Sequence, residues 1–193
     1  MKTIDLHEAL DQHQLWSSSL GRTGRQFVNE SIDFINLDLS SFNLAGAELP
    51  GANFLSCSLR GADLANGNFA SSHFTDTDLT GAVLAKANLD HAVFDTTKLT
   101  QTNLRWASLI NASLKKADLE CADLRGADLE AADLTDASLI ACMLEGTIFV
   151  ATKLRHAKLH GAIGAEAARV TSVDIGRLIV GDAARRWLRT ASR

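Results

Sequence analysis

No stretch of this 193-residue chain approaches 18 consecutive apolar residues, so no segment is suited to crossing a membrane as a helix. The opening residues, Met1-Lys2-Thr3-Ile4-Asp5, lack the apolar core of a secretory signal. Three cysteines are too few for a disulfide framework, and a reducing, cytoplasmic setting is expected. Proline occurs once, at Pro50. The chain has no P-loop, nucleophile elbow, Cys-x-x-Cys or Gly-x-Gly-x-x-Gly, and no Gly-Gly-x-Gly-x-Asp calcium repeat. The six histidines are scattered. Only His156 and His160 could approach each other, and two imidazoles alone make a poor metal site. These absences lead to an expectation of no enzyme activity, no cofactor and no metal.

What is present is a register. Every fifth residue from Phe34 to Leu159 is Leu or Phe, through 26 consecutive pentads with 20 Leu and 6 Phe. Helices and strands repeat at 3.6 and 2 residues, so neither explains a period of five. A strict pentad means that each unit forms one side of a coil and the chain winds as a solenoid. Two residues before each Leu or Phe stands a small residue, Ala at 14 positions and Thr at five. The exceptions are the first three, Ile32, Leu37 and Phe42. Gly46, Gly61 and Gly126, among other glycines, fall two residues after the central one. There the chain must turn a corner, and residues tolerant of unusual φ are favoured. Pro50 also falls at a corner.

A second period overlies the first. Phe34, Phe54, Phe74 and Phe94 are spaced by 20, as four pentads per coil would require. Their rings would then stack down one wall at roughly 4.8 Å, the spacing of adjacent strands. Six and a half such coils make a rod about 31 Å long.

Segments such as Gly61-Ala62-Asp63-Leu64-Ala65, Ala117-Asp118-Leu119-Glu120-Cys121 and Ala127-Asp128-Leu129-Glu130-Ala131 carry the A(D/N)LXX signature. Residues 31 to 160 thereby resemble the pentapeptide-repeat family. The resemblance implies an all-β solenoid, a right-handed quadrilateral β-helix with the central residue and the small residue pointing inward. The domain plan that follows is an N-terminal helical cap over 1–30, the β-helix over 31–160, and a C-terminal helical capping or dimerisation segment over 161–193. The Asp residues of the coils fit the outward positions beside turns, where Asx side chains bond local backbone. They are read as structural rather than catalytic.

The resemblance also brings a functional alternative. Some family members imitate duplex DNA and occupy DNA gyrase or topoisomerase IV, protecting them from inhibitors such as quinolones. The coils carry net charge −6, about a third of the charge per length of duplex DNA, which has one charge per ~1.7 Å. Three walls are near neutral. The fourth, carrying Leu49 to Phe149, has Glu48, Asp90, Asp128 and Glu130 without a Lys or Arg. With Ile110, Ile148 and Val150 beside them, these acids form the candidate partner-binding wall. No wall is basic, so direct nucleic-acid binding is not expected. The uninterrupted Ala-Asp-Leu pentads depart from the more variable pentads of the gyrase-protecting members. A generic protein-interaction or scaffold role, partner unidentified, is therefore the leading expectation.

The flanks differ in kind. Asp5-Leu6-His7-Glu8 reads as an N-cap with an acid at N3. Leu6, Ala9, Leu10, His13 and Trp16 follow at helical spacing, predicting a helix from about 5 to 16 that covers the open end of the first coil. Beyond Gly161, the pattern predicts a short helix over 165–170, an apolar segment around Leu178-Ile179-Val180, and a helix from Asp182 to about Thr190. Its stripe of Ala184, Trp187, Leu188 and Ala191 either caps the rod or joins two rods end to end as a homodimer, the latter being favoured.

Overall fold

A computed structural model describes residues 5–165, 168–171, 178–179 and 186. The residue before each central Leu or Phe forms a parallel bridge with its equivalent 20 positions on. Asp33 pairs with Asn53, Asn53 with His73, and the series continues to Met143 with Ile163. Four pentads per coil are thus fixed by the backbone itself. The ladder begins at Val28, bridged to Glu48, three residues before the boundary read from the Leu/Phe register. Phe27 explains the extension. It is buried and meets Phe34 edge-on, with centroids 6.0 Å apart, filling the first coil from the slot one coil before Ala47 in a pentad, 27–31, that has Asn29 at its centre.

Backbone bonding accounts for the repeat. In the pentad of Phe54, the N–H of Phe54 reaches the His73 carbonyl and that of Asn53 the Ile32 carbonyl, one coil forward and one back. The corner N–H of Ser56 reaches Thr75, and that of Cys57 closes a turn onto Phe54. One donor, the N–H of Leu55, remains, and the Asn53 side chain accepts it at 3.2 Å. Asp63, Asn68, Asp78 and Asp118 do the same for the residue two ahead. A buried or crowded N–H must find an acceptor, and this is why Asp or Asn precedes Leu in the signature. The second corner residue has positive φ throughout, from Asn36 at 61° to His156 at 59°. A single left-handed residue at the third turn position is the pattern of a type II turn.

The core is a column of apolar layers. Phe34, Phe54, Phe74 and Phe94 are fully buried and stack in one column, with centroids 4.6, 4.8 and 4.7 Å apart and rings within 4° of parallel. Phe69 presents its edge to Phe54 and Phe74 at 6.2 and 6.3 Å. Where the small inward residue is polar, it stays satisfied. Ser72, Thr77, Thr97, Thr102, Thr147 and Thr152 each donate to a central carbonyl one coil earlier, such as Thr77 Oγ1 to Phe54 O at 2.6 Å. That carbonyl has a second lone pair left over from its turn bond.

At the N-terminal end, helix α1 spans Leu6–Ser18, and the Asp5 carboxylate accepts the His7 and Glu8 N–H groups as its cap. Leu10 and His13 are its buried residues. Gly24 lets the chain cross back over α1. Its φ is +76°, and a Cβ there would lie 2.3 Å from the Gln12 carbonyl oxygen. The cap does not seal the first coil. Leu37 stays exposed, and Ile32 and Phe42 are half-buried. A groove of about 370 Å3 remains between Leu6, His7 and Leu10 of α1 and Leu37, Asp38, Leu39 and Phe42 of the rod.

The C-terminal end departs from expectation. Strand β1, Ile148–Phe149, pairs in parallel with β2, Arg169–Thr171, and β2 pairs antiparallel with β3, Leu178–Ile179. The helix expected over 165–170 gives way to β2. The last coil offers an open ladder edge, and an edge of that kind templates a strand against local helix propensity.

Candidate partner-binding wall

The wall carrying Leu49 to Phe149 is built from rungs set 20 residues apart. Its bridge column runs Glu48, Asn68, Asn88, Ser108, Asp128 and Ile148. The next outward residues are Pro50, Ala70, Asp90, Ile110, Glu130 and Val150. The seven expected contact residues thus share one face. Glu130 is exposed, and Glu48, Asp90, Ile110, Asp128, Ile148 and Val150 are half-buried.

The acids are not equivalent. Glu48 accepts the Asn68 amide at 2.9 Å. Asp128 accepts the Glu130 N–H at 3.0 Å, as any Asx of the repeat does. Asp90 accepts both Ser108 Oγ at 2.5 Å and Ile110 N at 3.0 Å. Only Glu130 has its carboxylate wholly uncommitted among the described contacts. Ile148 lies in β1, so β2 and β3 extend the sheet from the end of this wall. The residues Ala184, Trp187, Leu188 and Ala191 lie outside the described residues.

The other walls hold ion pairs, including an exposed one of Arg60 with Asp78 at 3.1 Å and a half-buried one of Arg125 with Asp123 at 2.7 Å. Despite the desolvation that opposes it, Asp123 titrates below the ordinary carboxylate range, because the Arg125 guanidinium, the Arg125 N–H and Arg105 favour its charged form. His156 faces Asp136 at 3.1 Å. Among the described residues, no group of three or more His, Cys, Asp or Glu is placed to hold a metal. Cys57 and Cys142 are buried and Cys121 is exposed, all three unbridged.

One residue the sequence reading passed over stands at the edge of this wall. Trp106 occupies the corner before Ser108 with φ 59° and is 61% exposed. Its position at a left-handed corner, usually Gly, Asn, Ser or Asp in this chain, was the signal available.

A solenoid of square coils with Leu or Phe inside and a left-handed residue at each corner defines a repeat protein. Eight copies of the model described as pentapeptide repeats match, within residues 31–66, 57–95, 97–136 and 132–163. The chain belongs to the pentapeptide-repeat family. Among solved structures it is similar to HetL, a pentapeptide-repeat protein involved in heterocyst differentiation regulation from the cyanobacterium Nostoc sp. strain PCC 7120. Identity is 25%, covering 86% of this chain and 97% of that one, with TM-score 0.39. It is similar to Rfr23 from the cyanobacterium Cyanothece 51142 at 22% identity, covering 82% and 97%, with TM-score 0.32. QnrB1, a plasmid-mediated fluoroquinolone resistance protein, matches at 14% identity over 76% and 95%, with TM-score 0.32. No curated protein sequence matches the chain.

Proposed function

We propose that this chain is a non-enzymatic protein-interaction or scaffold module acting in the cytoplasm. In this reading, residues 1–30 form a cap, 31–160 a right-handed rod, and 161–193 a capping or dimerising tail. The observation that carries it is the division of labour within each pentad. Inward residues fill the rod with Leu, Phe and Ala, and Asx side chains are spent on corner N–H groups. What varies from coil to coil is the outward side chains, which is the part a partner protein would read. Affinity isolation with the wild-type rod, against a variant carrying Glu48→Lys and Glu130→Lys, tests it. A partner held by the wild type and weakened in the variant supports the reading, while a rod that retains no specific partner refutes it.

A second reading is favoured by the cation-free wall. In it, Glu48, Asp90, Asp128 and Glu130 stand in for phosphates, and the partner is DNA gyrase or topoisomerase IV. A supercoiling assay with and without a quinolone separates the two. Inhibition or protection by the purified protein supports mimicry; unchanged supercoiling in both arms leaves the scaffold.

A further inference from the structure

The first coil has an unfinished ladder on the wall carrying Leu39. Between this coil and the next, Leu37 O accepts the Ser58 N–H at 2.9 Å, Leu39 N–H reaches Ser58 O at 2.7 Å, and Ser41 N–H reaches Arg60 O at 2.9 Å. One rung earlier, the equivalent groups are the N–H and carbonyl of Asp38 and the carbonyl of Ser40. None of the three has a hydrogen-bond partner among the described residues. The chain ahead of Phe27 runs as α1 rather than as a coil, so no preceding pentad supplies one. Asp33 on the next wall has the same unpaired groups, but it is Asp38 that lines the groove beside α1.

The C-terminal half of α1 is spent elsewhere. Ser17 bonds the Asn43 side chain at 3.1 Å, the Trp16 ring lies against Gly46, and His13 takes the Phe27 N–H at 3.0 Å. Beside Asp38, Leu6 and Leu10 stand off from Leu37, Leu39 and Phe42 across the groove of about 370 Å3. An apolar groove alongside unpaired main-chain donors and acceptors takes up an extended peptide: the main-chain bonds hold it and the groove selects its side chain.

The register of the rod specifies the occupant, a parallel pentad. Its first residue's carbonyl accepts the Asp38 N–H, its third residue donates to Asp38 O, and its fifth donates to Ser40 O. The third side chain enters the groove in the column of Leu39 and Leu59, which calls for Leu or Phe. The fifth residue falls at the left-handed corner, which favours Gly. The second side chain points outward over Asp38, an exposed carboxylate at the rim whose Oδ1 also takes the Ser40 N–H. A cation suits that place, as Lys153 suits Asp133 one coil away at 3.4 Å. Resting on the interaction-module reading above, we propose that this groove binds an extended peptide of a partner protein, of the form x-Lys-Leu-x-Gly or x-Lys-Phe-x-Gly. The peptide adds one pentad to the N-terminal end of the rod.

The probe is the acetylated, amidated peptide Ala-Lys-Leu-Ser-Gly, added to the full-length isotope-labelled protein and followed by amide NMR. Saturable shifts centred on Asp38 to Ser41, with slowed exchange of the Asp38 amide, are expected. Replacing the peptide's Leu N–H by an ester oxygen should weaken binding about fivefold, the loss of one main-chain bond. Replacing its Lys by Glu should weaken binding about tenfold. Asp38→Asn keeps an acceptor for the Ser40 N–H, as Asn53 does for Leu55, and should bring the Lys and Glu peptides to the same affinity. No binding, or binding indifferent to the ester and to the Glu peptide, overturns the proposal. A partner still recovered by affinity isolation in that case leaves the interaction module standing without this groove. Binding seen only after removal of residues 1–4 would assign the groove to the chain's own start. Shifts at Asp38 produced by raising the protein concentration alone would assign it to a second copy. Either result also overturns the proposal.

Discussion

Asp90 does for Ser108's rung what an Asx residue does elsewhere for its own. Its Oδ1 reaches one coil ahead to take both Ser108 Oγ and the Ile110 N–H, at 2.5 and 3.0 Å. Asp95 repeats the arrangement with Ser113 and Lys115 on the neighbouring wall. At Ser108 and Ser113, Ser at the signature position is therefore compensated by Asp on the preceding coil. Asp90→Ala should destabilise the rod by about 1–3 kcal/mol, the cost of an orphaned N–H and hydroxyl. Ser108→Asp introduced with it should recover most of that by restoring the local acceptor. Urea unfolding of the two variants measures the pair, and an Asp90→Ala change near zero would count against the bond's importance.

Phe74 lies within the ring stack, between Phe54 and Phe94, with Phe69 against its edge. Phe74→Ala should cost about 3–5 kcal/mol, since neighbouring coils locked by the ladder cannot collapse into the space. Phe74→Leu, the substitution the repeat itself makes in other columns, should cost much less. Denaturant midpoints at constant slope decide the order.

His13 is fully buried, and its Nδ1 accepts the Phe27 N–H at 3.0 Å. It stacks on Trp16 at 5.3 Å, and its Nε2 lies towards the Leu44 and Ala45 carbonyls without completing a hydrogen bond. Burial outweighs those carbonyls and lowers its pKa from 6.5. The unfolded chain then binds the proton more readily, so the stabilisation is present above pH 6.5 and drains away as pH falls below it. Protonation at Nδ1 would also break the bond to Phe27. Helix α1 should loosen from the rod in mild acid, visible as a change in Trp16 emission between pH 7 and 5. His13→Gln should flatten that response.

The three thiols should separate cleanly. Cys142 donates to Leu119 O at 2.9 Å, and burial pushes its pKa up to about 12. Burial also raises the pKa of Cys57, which donates to Phe34 O. A thiol reagent at pH 8 should label Cys121 alone in the native protein, and all three only after unfolding. Native labelling of Cys142 would contradict the closed ladder around it.

The rod was legible because a five-residue period admits one architecture, and the 20-residue Phe spacing fixed the coil. Asp5 as cap and Leu10 and His13 as the buried face of α1 followed from local rules. Features set by the far ends of the rod were not legible. Residues 27–31 bond as a pentad although Asn29 stands where Leu or Phe is expected, with Phe27 buried in its inward slot. Strand β2 forms because the last coil leaves an edge beside Ile148 and Phe149, which no local propensity reports. The wall's acids were found by aligning columns, yet their local commitments were not. Asp90 looks free in sequence because the groups it serves lie 18 and 20 residues away.

The bridges that join each residue to its equivalent 20 positions on have a further consequence for how length can change. Each coil touches only its neighbours, so the rod is a stack whose members can be counted in or out. Removing residues 115–134 would run Leu114 directly into Thr135 with every column still in register. Asp95 would then stand beneath the Thr135 N–H as it now does beneath that of Lys115. Such a chain should fold into a rod shorter by about 4.8 Å with both ends unchanged, whereas removing 18 or 22 residues would turn inward-facing leucines to the solvent. The length of this molecule changes in whole pentads, of which only whole coils of four keep each column intact, and an insertion of any other size can enter only at a corner, as a loop outside the ladder.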